Sequence, residues 1–171
     1  MKKITLLFTA LLVILSLSAC GDPPAEIQNA EKPLQIANPY GTYETIREME
    51  DASGLVVSLP QTLPDWVNET IYRAIPGELA EILYTDGSNE IRVRIKNGTE
   101  DISGVYDTDA REEKDVAVGE YTVHLKGETQ ENGDFLVFVS TWNTSEGRTY
   151  SVTSRNGVSE TVLLPLLSQI R

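Results

Sequence analysis

The chain reads as an α+β domain: a meandering antiparallel sheet of six to seven strands with an N-terminal and a C-terminal helix packed on one face. Three observations point there. Much of the region from Leu55 to Ser154 alternates apolar and polar residues with a period of two, and segments with a helical period stand before and after it. The alternating segments are separated by short stretches of Asp, Gly, Ser and Asn, the residues of tight antiparallel turns. No internal repeat is visible. A closed barrel is the alternative arrangement of the same strands.

The first folded element is expected to be a helix from Thr42 to Ala52. Thr42 is placed to cap it, Tyr43, Ile46 and Met49 share one face, and Ser53-Gly54 ends it. Leu55-Val56-Val57-Ser58-Leu59 then reads as a short strand closed by Pro60, followed by a turn at Thr62-Leu63-Pro64-Asp65 and a strand from Thr70 to Ile75. Glu78 to Thr85 and Glu90 to Lys96 form a hairpin across Asp86-Gly87-Ser88-Asn89. In its second arm Ile91, Val93 and Ile95 point one way while Arg92, Arg94 and Lys96 point the other, the mark of a sheet with one wet face. Val116 to Lys126 repeats the pattern, and its frame slips by one at Gly119-Glu120, where a bulge or bend fits. Phe135 to Trp142 is apolar at nearly every residue, which suits a strand covered on both faces, and Thr149 to Ser154 follows after Ser145-Glu146-Gly147. Ser159 caps a final helix carrying Val162, Leu163, Leu166, Leu167 and Ile170, with Pro165 as a kink or a break.

Ahead of the domain, Lys2 and Lys3 precede an apolar run from Ile4 to Leu17 that stops at Leu17-Ser18-Ala19-Cys20. Basic residues, a short apolar core and small residues before a cysteine are the pattern of a lipoprotein export signal. The run falls short of the ~20 apolar residues that span a bilayer, so the expected anchor is acyl chains on Cys20 after cleavage between Ala19 and Cys20. The expected organisation is a signal peptide over 1–19, a lipidated cysteine and flexible tether over 20–38, and an extracytoplasmic domain over 39–171. The tether, rich in Pro and polar residues, reaches on the order of 25 Å as a coil and about twice that as a polyproline helix. The expected location is the outer face of the cell membrane.

Two of the 14 Lys and Arg and none of the 26 Asp and Glu precede Cys20, so the chain after the cut carries 12 basic and 26 acidic residues, a net charge of −14. Nucleic acid and anionic lipid headgroups are poor partners for such a chain, because both reward clustered Lys and Arg. Cys20 is the one cysteine and lipidation consumes it, leaving no disulfide, thiolate metal site or cysteine nucleophile.

Leu59-Pro60 and Leu63-Pro64, then Glu100-Asp101-Ile102-Ser103-Gly104-Val105-Tyr106, then Trp142 with Gly147, Thr149 and Tyr150-Ser151, follow in order along the chain. In this order and spacing the segment from about Pro39 to Arg171 resembles an extracytoplasmic domain family of unknown function from low-GC Gram-positive bacteria. The resemblance implies an extracytoplasmic module, sometimes in chains linked to anti-sigma regulation, with no established enzymatic activity.

Residues with site chemistry are few. His124 is the one histidine, on the polar phase of its strand, and reads as a surface residue; no Gly-x-Ser-x-Gly, His-Glu-x-x-His, Walker loop or Gly-x-Gly-x-x-Gly accompanies it. Asp101, Asp107, Asp109, Glu112, Glu113 and Asp115 read as a solvated acidic segment, since Asp107-Thr108-Asp109 lacks the further ligands and turn glycine of a calcium loop. In Asp101-Ile102-Ser103-Gly104 the polar side chains can bond nearby backbone, giving either a structural turn or a binding loop. Trp66, Tyr106, Trp142 and Tyr150 either line a groove or pack in the core. The candidate binding loop or groove is therefore Asp101, Ser103, Gly104, Tyr106, Trp142 and Tyr150, with no catalytic residue, metal or cofactor expected. The functional expectation is a non-enzymatic, membrane-anchored binding or sensing module for an envelope protein, peptide or ligand. A carboxylate-dependent envelope hydrolase and a structural assembly lipoprotein are the alternatives.

Overall fold

The structure, a computed structural model, describes residues 38–105 and 110–170. The expected signal peptide, the Ala19–Cys20 cleavage and lipidation site, the tether up to Ala37, and Tyr106 lie outside the described residues. From Asn38 onward the chain is one compact unit. None of the described helices is long and apolar enough to cross a membrane.

Among the described residues the elements run β1 (Gly41–Tyr43), α1 (Ile46–Ser53), β2 (Glu69–Ile75), β3 (Leu79–Thr85), β4 (Glu90–Asn97), β5 (Glu112–Val118), β6 (Tyr121–Thr129), β7 (Phe135–Asn143), β8 (Arg148–Ser159) and α2 (Glu160–Leu167). All eight strands join one antiparallel sheet in the order β1-β2-β3-β4-β8-β7-β6-β5, so the sheet is open and β1 and β5 are its edges. The α+β class stands, with eight strands in place of the six to seven expected.

Three local differences account for the count. Gly41–Tyr43 pairs with Tyr72–Ala74 as an edge strand, so the helix starts later than Thr42. Thr45 caps it: the Glu48 N–H donates to Thr45 Oγ1 (3.2 Å) while Glu48 Oε2 accepts from the Thr45 N–H (3.2 Å), a reciprocal pair that satisfies two donors at the helix start. Gly119-Glu120 is the two-residue turn of a hairpin, with Val118 opposite Tyr121 and Gly119 at φ +60°, so the slip in alternation separates two strands. Leu55–Leu59 forms no strand. Leu55 and Val57 are buried and Val56 is exposed, as alternation demands, but the segment contributes to the layer over the sheet, and the Val57 N–H donates to Glu50 Oε1 (2.7 Å) of α1.

One apolar core occupies one face of the sheet. Met49 of α1 and Leu163, Leu166 and Leu167 of α2 belong to the same cluster as Leu55 and Val57 and the inward residues Ala74, Ile82, Ile95, Leu125, Val137 and Val152. On edge strand β5 the Lys114 ammonium turns inward over the Phe135 ring (3.9 Å) and reaches Glu160 Oε2 of α2 (2.7 Å). An inward lysine on an edge strand discourages pairing with another sheet. Ser159 precedes α2 without a side-chain bond to its backbone, and Pro165 lies inside that helix.

Candidate functional site

The other face of the sheet holds a few buried apolar residues, Leu79, Leu83 and Val139 among them, and a polar row that register makes continuous. Thr42 pairs with Arg73, Arg73 with Glu81, Glu81 with Arg94, Arg94 with Ser151, Ser151 with Thr141, Thr141 with His124, and His124 with Asp115. Because paired residues share a face, one polar residue from every strand falls into a single row across the sheet. The connection from β4 to β5 leaves the sheet over this face: Arg94 Nη1 donates to the Ile102 carbonyl (3.1 Å) and the Ser103 carbonyl (2.7 Å).

The middle of the row is an ion cluster. Strand β3 is buried on both sides, and its alternation sends Ala80, Ile82 and Tyr84 into the core and Glu81 to the polar face. Glu81 has no exposed surface. Arg94 Nε donates to its Oε2 (2.7 Å), Arg73 Nη2 pairs with Oε1, and Arg92 Nε lies 3.7 Å from Oε2. Arg92 also pairs with Glu90 through Nη2 (2.5 Å). Burial of a carboxylate is tolerable only with charged partners of this kind. The Tyr40 ring lies against two of the guanidiniums, 5.4 Å from Arg73 and 6.0 Å from Arg94. Its phenol is held above its ordinary value, first by desolvation and then by the Glu81 charge, against the lowering influence of the arginines.

A cleft of about 250 Å³ opens beside the cluster, between Leu79, Arg94 and Lys96 of the sheet and residues 100–105 of the connection. Asp101 Oδ1 accepts from the Ser103 N–H (2.8 Å), and Ser103 Oγ accepts from the Val105 N–H (3.2 Å). These bonds fix the loop wall. Gly104, at φ +66°, leaves the space taken by the Arg94 guanidinium, onto which any Cβ would fall. Lys96 bridges Glu78 (2.9 Å) and Glu100 (3.2 Å) at the rim, and its ammonium is held above its ordinary value by those two hydrogen bonds, Glu78 first.

Asp101, Ser103 and Gly104 thus stand together at the cleft. Trp142 and Tyr150 do not join them: they are neighbours across β7 and β8 on the core face, stacked with centroids 5.0 Å apart and planes 10° apart. At the far end of the row His124 Nδ1 is 2.8 Å from Asp115 Oδ1 and its Nε2 3.4 Å from Glu113 Oε2, while Lys126 also pairs with Glu113 (3.1 Å). Among the described residues no three His, Cys, Asp or Glu side chains are grouped to hold a metal.

Glu81, Arg73, Arg92 and Arg94 carry the site, and sequence reasoning placed the last two only on a wet face. The available signal was Glu81 itself, the single acid inside Leu79–Tyr84, a segment otherwise apolar. Chemically, guanidiniums donate hydrogen bonds and stay protonated, and Glu81 is enclosed by them. The guanidinium edges not turned to Glu81 or Glu90 are hydrogen-bond donors, the groups an anion accepts from. Scans against models of protein families, characterised proteins and solved structures found no match to this chain.

Proposed function

We propose that this chain is a lipid-anchored extracytoplasmic binding module, a member of the family it resembles, whose ligand-contacting surface is the polar face of the sheet. The observation that supports it is the full burial of Glu81 beneath three arginines beside a cleft with a fixed wall. A buried acid ringed by cations is a costly way to stabilise a sheet, since apolar residues of similar volume do as well or better. It does hold guanidiniums in place before a ligand arrives, which lowers the ordering cost of binding. Cys20 supplies the anchor and restricts the search for ligands to the envelope.

Two measurements test this reading. The wild-type chain is expected in the membrane fraction and the Cys20→Ala chain outside it. The unfolding temperature of the protein should rise with envelope peptides or wall fragments, by an amount equivalent to about 2.7 kcal/mol at a hundredfold excess over Kd, and the rise should vanish in Arg73→Gln. A wild-type chain that fails to fractionate with membranes removes the anchored module. Turnover of wall material that is indifferent to Arg73→Gln replaces binding by hydrolysis.

A further inference from the structure

We infer that Arg73 and Arg92, braced by Glu81, hold the carboxylate of a ligand of low overall charge, such as the free C-terminus of a short peptide. The inference rests on the binding reading above and gives that surface its ligand chemistry.

The three arginines are not equivalent. Arg94 is committed to structure: its Nε is spent on Glu81 and its Nη1 on the carbonyls of Ile102 and Ser103, and its side chain is 12% exposed. Arg73 and Arg92 keep 26% and 28% of their side chains exposed. They flank β3 from opposite sides, Arg73 paired with Glu81 and Arg92 with Leu83, so both reach over the same stretch of that strand. Each has a buried Nε–H with no acceptor within hydrogen-bond reach. Glu81 Oε1 is the one acceptor of the cluster that also lacks a well-formed hydrogen bond, so two such donors stand against one acceptor.

Charge gives the same answer. Three guanidiniums share two carboxylates, Glu81 and Glu90, so the cluster keeps one net positive charge although each arginine has an acidic partner. The forked, planar guanidinium matches a carboxylate or a phosphate equally well. The surroundings separate the two. At the cleft rim Glu78, Glu100 and Asp101 outnumber the one cation Lys96, and the whole chain carries −12, so a polyanion or an anionic bilayer meets a net negative surround. A single carboxylate matches the one net positive charge of the cluster. The cleft with Leu79 in its wall opens on the Arg94 side of the cluster and is lined by neither Arg73 nor Arg92, so the inference concerns the carboxylate end of the ligand.

The test is calorimetric titration of the full lipidated chain in detergent micelles with acetylated di- to tetrapeptides, each as the free acid and as the C-terminal amide, and with inorganic pyrophosphate. The acids are expected to bind at least about tenfold more tightly than the amides, and the preference should weaken as salt is added. Arg73→Gln and Arg92→Lys should each lower the affinity for the acids about tenfold. Arg92→Lys keeps the charge and removes the fork, so its loss identifies paired hydrogen bonding, and its milder change guards against an unfolded variant. Equal binding of acid and amide, or pyrophosphate binding more tightly than every peptide, overturns the carboxylate inference and leaves the binding reading standing. No binding by any probe overturns the inference as well; only if wall fragments and envelope peptides also fail to raise the unfolding temperature does the binding reading fall with it.

Discussion

Glu81 decides the state of the polar face. Its carboxylate has no water to retreat to, and three guanidiniums are drawn over it from β2 and β4. Removing that one charge leaves three cations crowded together without their centre. Glu81→Gln is therefore expected to cost about 3 kcal/mol, the lower part of the range for breaking a buried pair because two of the arginines can turn toward solvent. Arg73→Met removes a partly exposed cation and leaves Glu81 paired with Arg94, so about 1 kcal/mol is expected. Urea unfolding of the two variants gives the comparison, and equal costs would show that Glu81 is not the centre of the cluster. The same residue marks the limit of what the sequence discloses. Alternation put Arg92 and Arg94 on one face, but only pairing brings Arg73 from another strand to Glu81, and pairing register between strands is not written in either strand alone. Asp101, Ser103 and Gly104 were legible as a constrained turn because the Asp101 and Ser103 side chains act on adjacent backbone and Gly104 permits a positive φ. Trp142 and Tyr150 were ambiguous because a large aromatic serves a core and a groove equally.

Among the elements, the β3–β4 hairpin holds the cluster in register, and its turn is set by Asp86. Asp86 Oδ1 accepts from the Ser88 N–H (2.7 Å) and the Asn89 N–H (2.6 Å), and Oδ2 accepts from the Asn89 amide (2.9 Å). The Asn89 bonds, then the Ser88 bond, hold its carboxyl below the ordinary value of 3.8. A carboxylate with a lowered folded value stabilises the protein above its ordinary value, and that contribution disappears as pH falls through the lowered one. Asp86→Ala should thus be less stable than wild type at about pH 6, with the deficit shrinking as the medium is taken below about pH 4. Urea titrations at both pH values check it; a deficit that stays constant on acidification would mean the turn does not depend on the ionised form. This hairpin was readable because four turn-forming residues separate an apolar first arm from a second arm that alternates cleanly. The elements that differed share one cause: local pattern states which side is buried without stating what the backbone pairs with. Leu55 and Val57 alternate as strand residues do while the Val57 N–H goes to Glu50, and Gly119-Glu120 shifts the phase as a bulge does while reversing the chain.

At the scale of the molecule the strand order divides the sheet into two meanders, β1 to β4 and β5 to β8, joined along one seam where β4 meets β8. Neither meander holds the polar row alone, since Arg94 and Ser151 face each other across that seam. The first meander without the second would expose β4 and the second without the first would expose β8, each as a long unpaired edge. Both strands also send residues into one shared core, with Ile91, Val93 and Ile95 from β4 beside Tyr150 and Val152 from β8. Opening the seam therefore removes the core of both halves together, and the sheet should unfold as a single cooperative unit. Amide hydrogen exchange reads this directly. The amides of Tyr150 and Val152 are expected to exchange only through global unfolding, while those of the three-residue edge strand β1 exchange by local fraying. If the β4 and β8 amides at the seam exchanged together ahead of the rest, the meanders would be separate folding units. The polar row would then be assembled only when they dock, so ligand binding would tighten the seam. Uniform protection across it means that the polar row stays assembled throughout the native state.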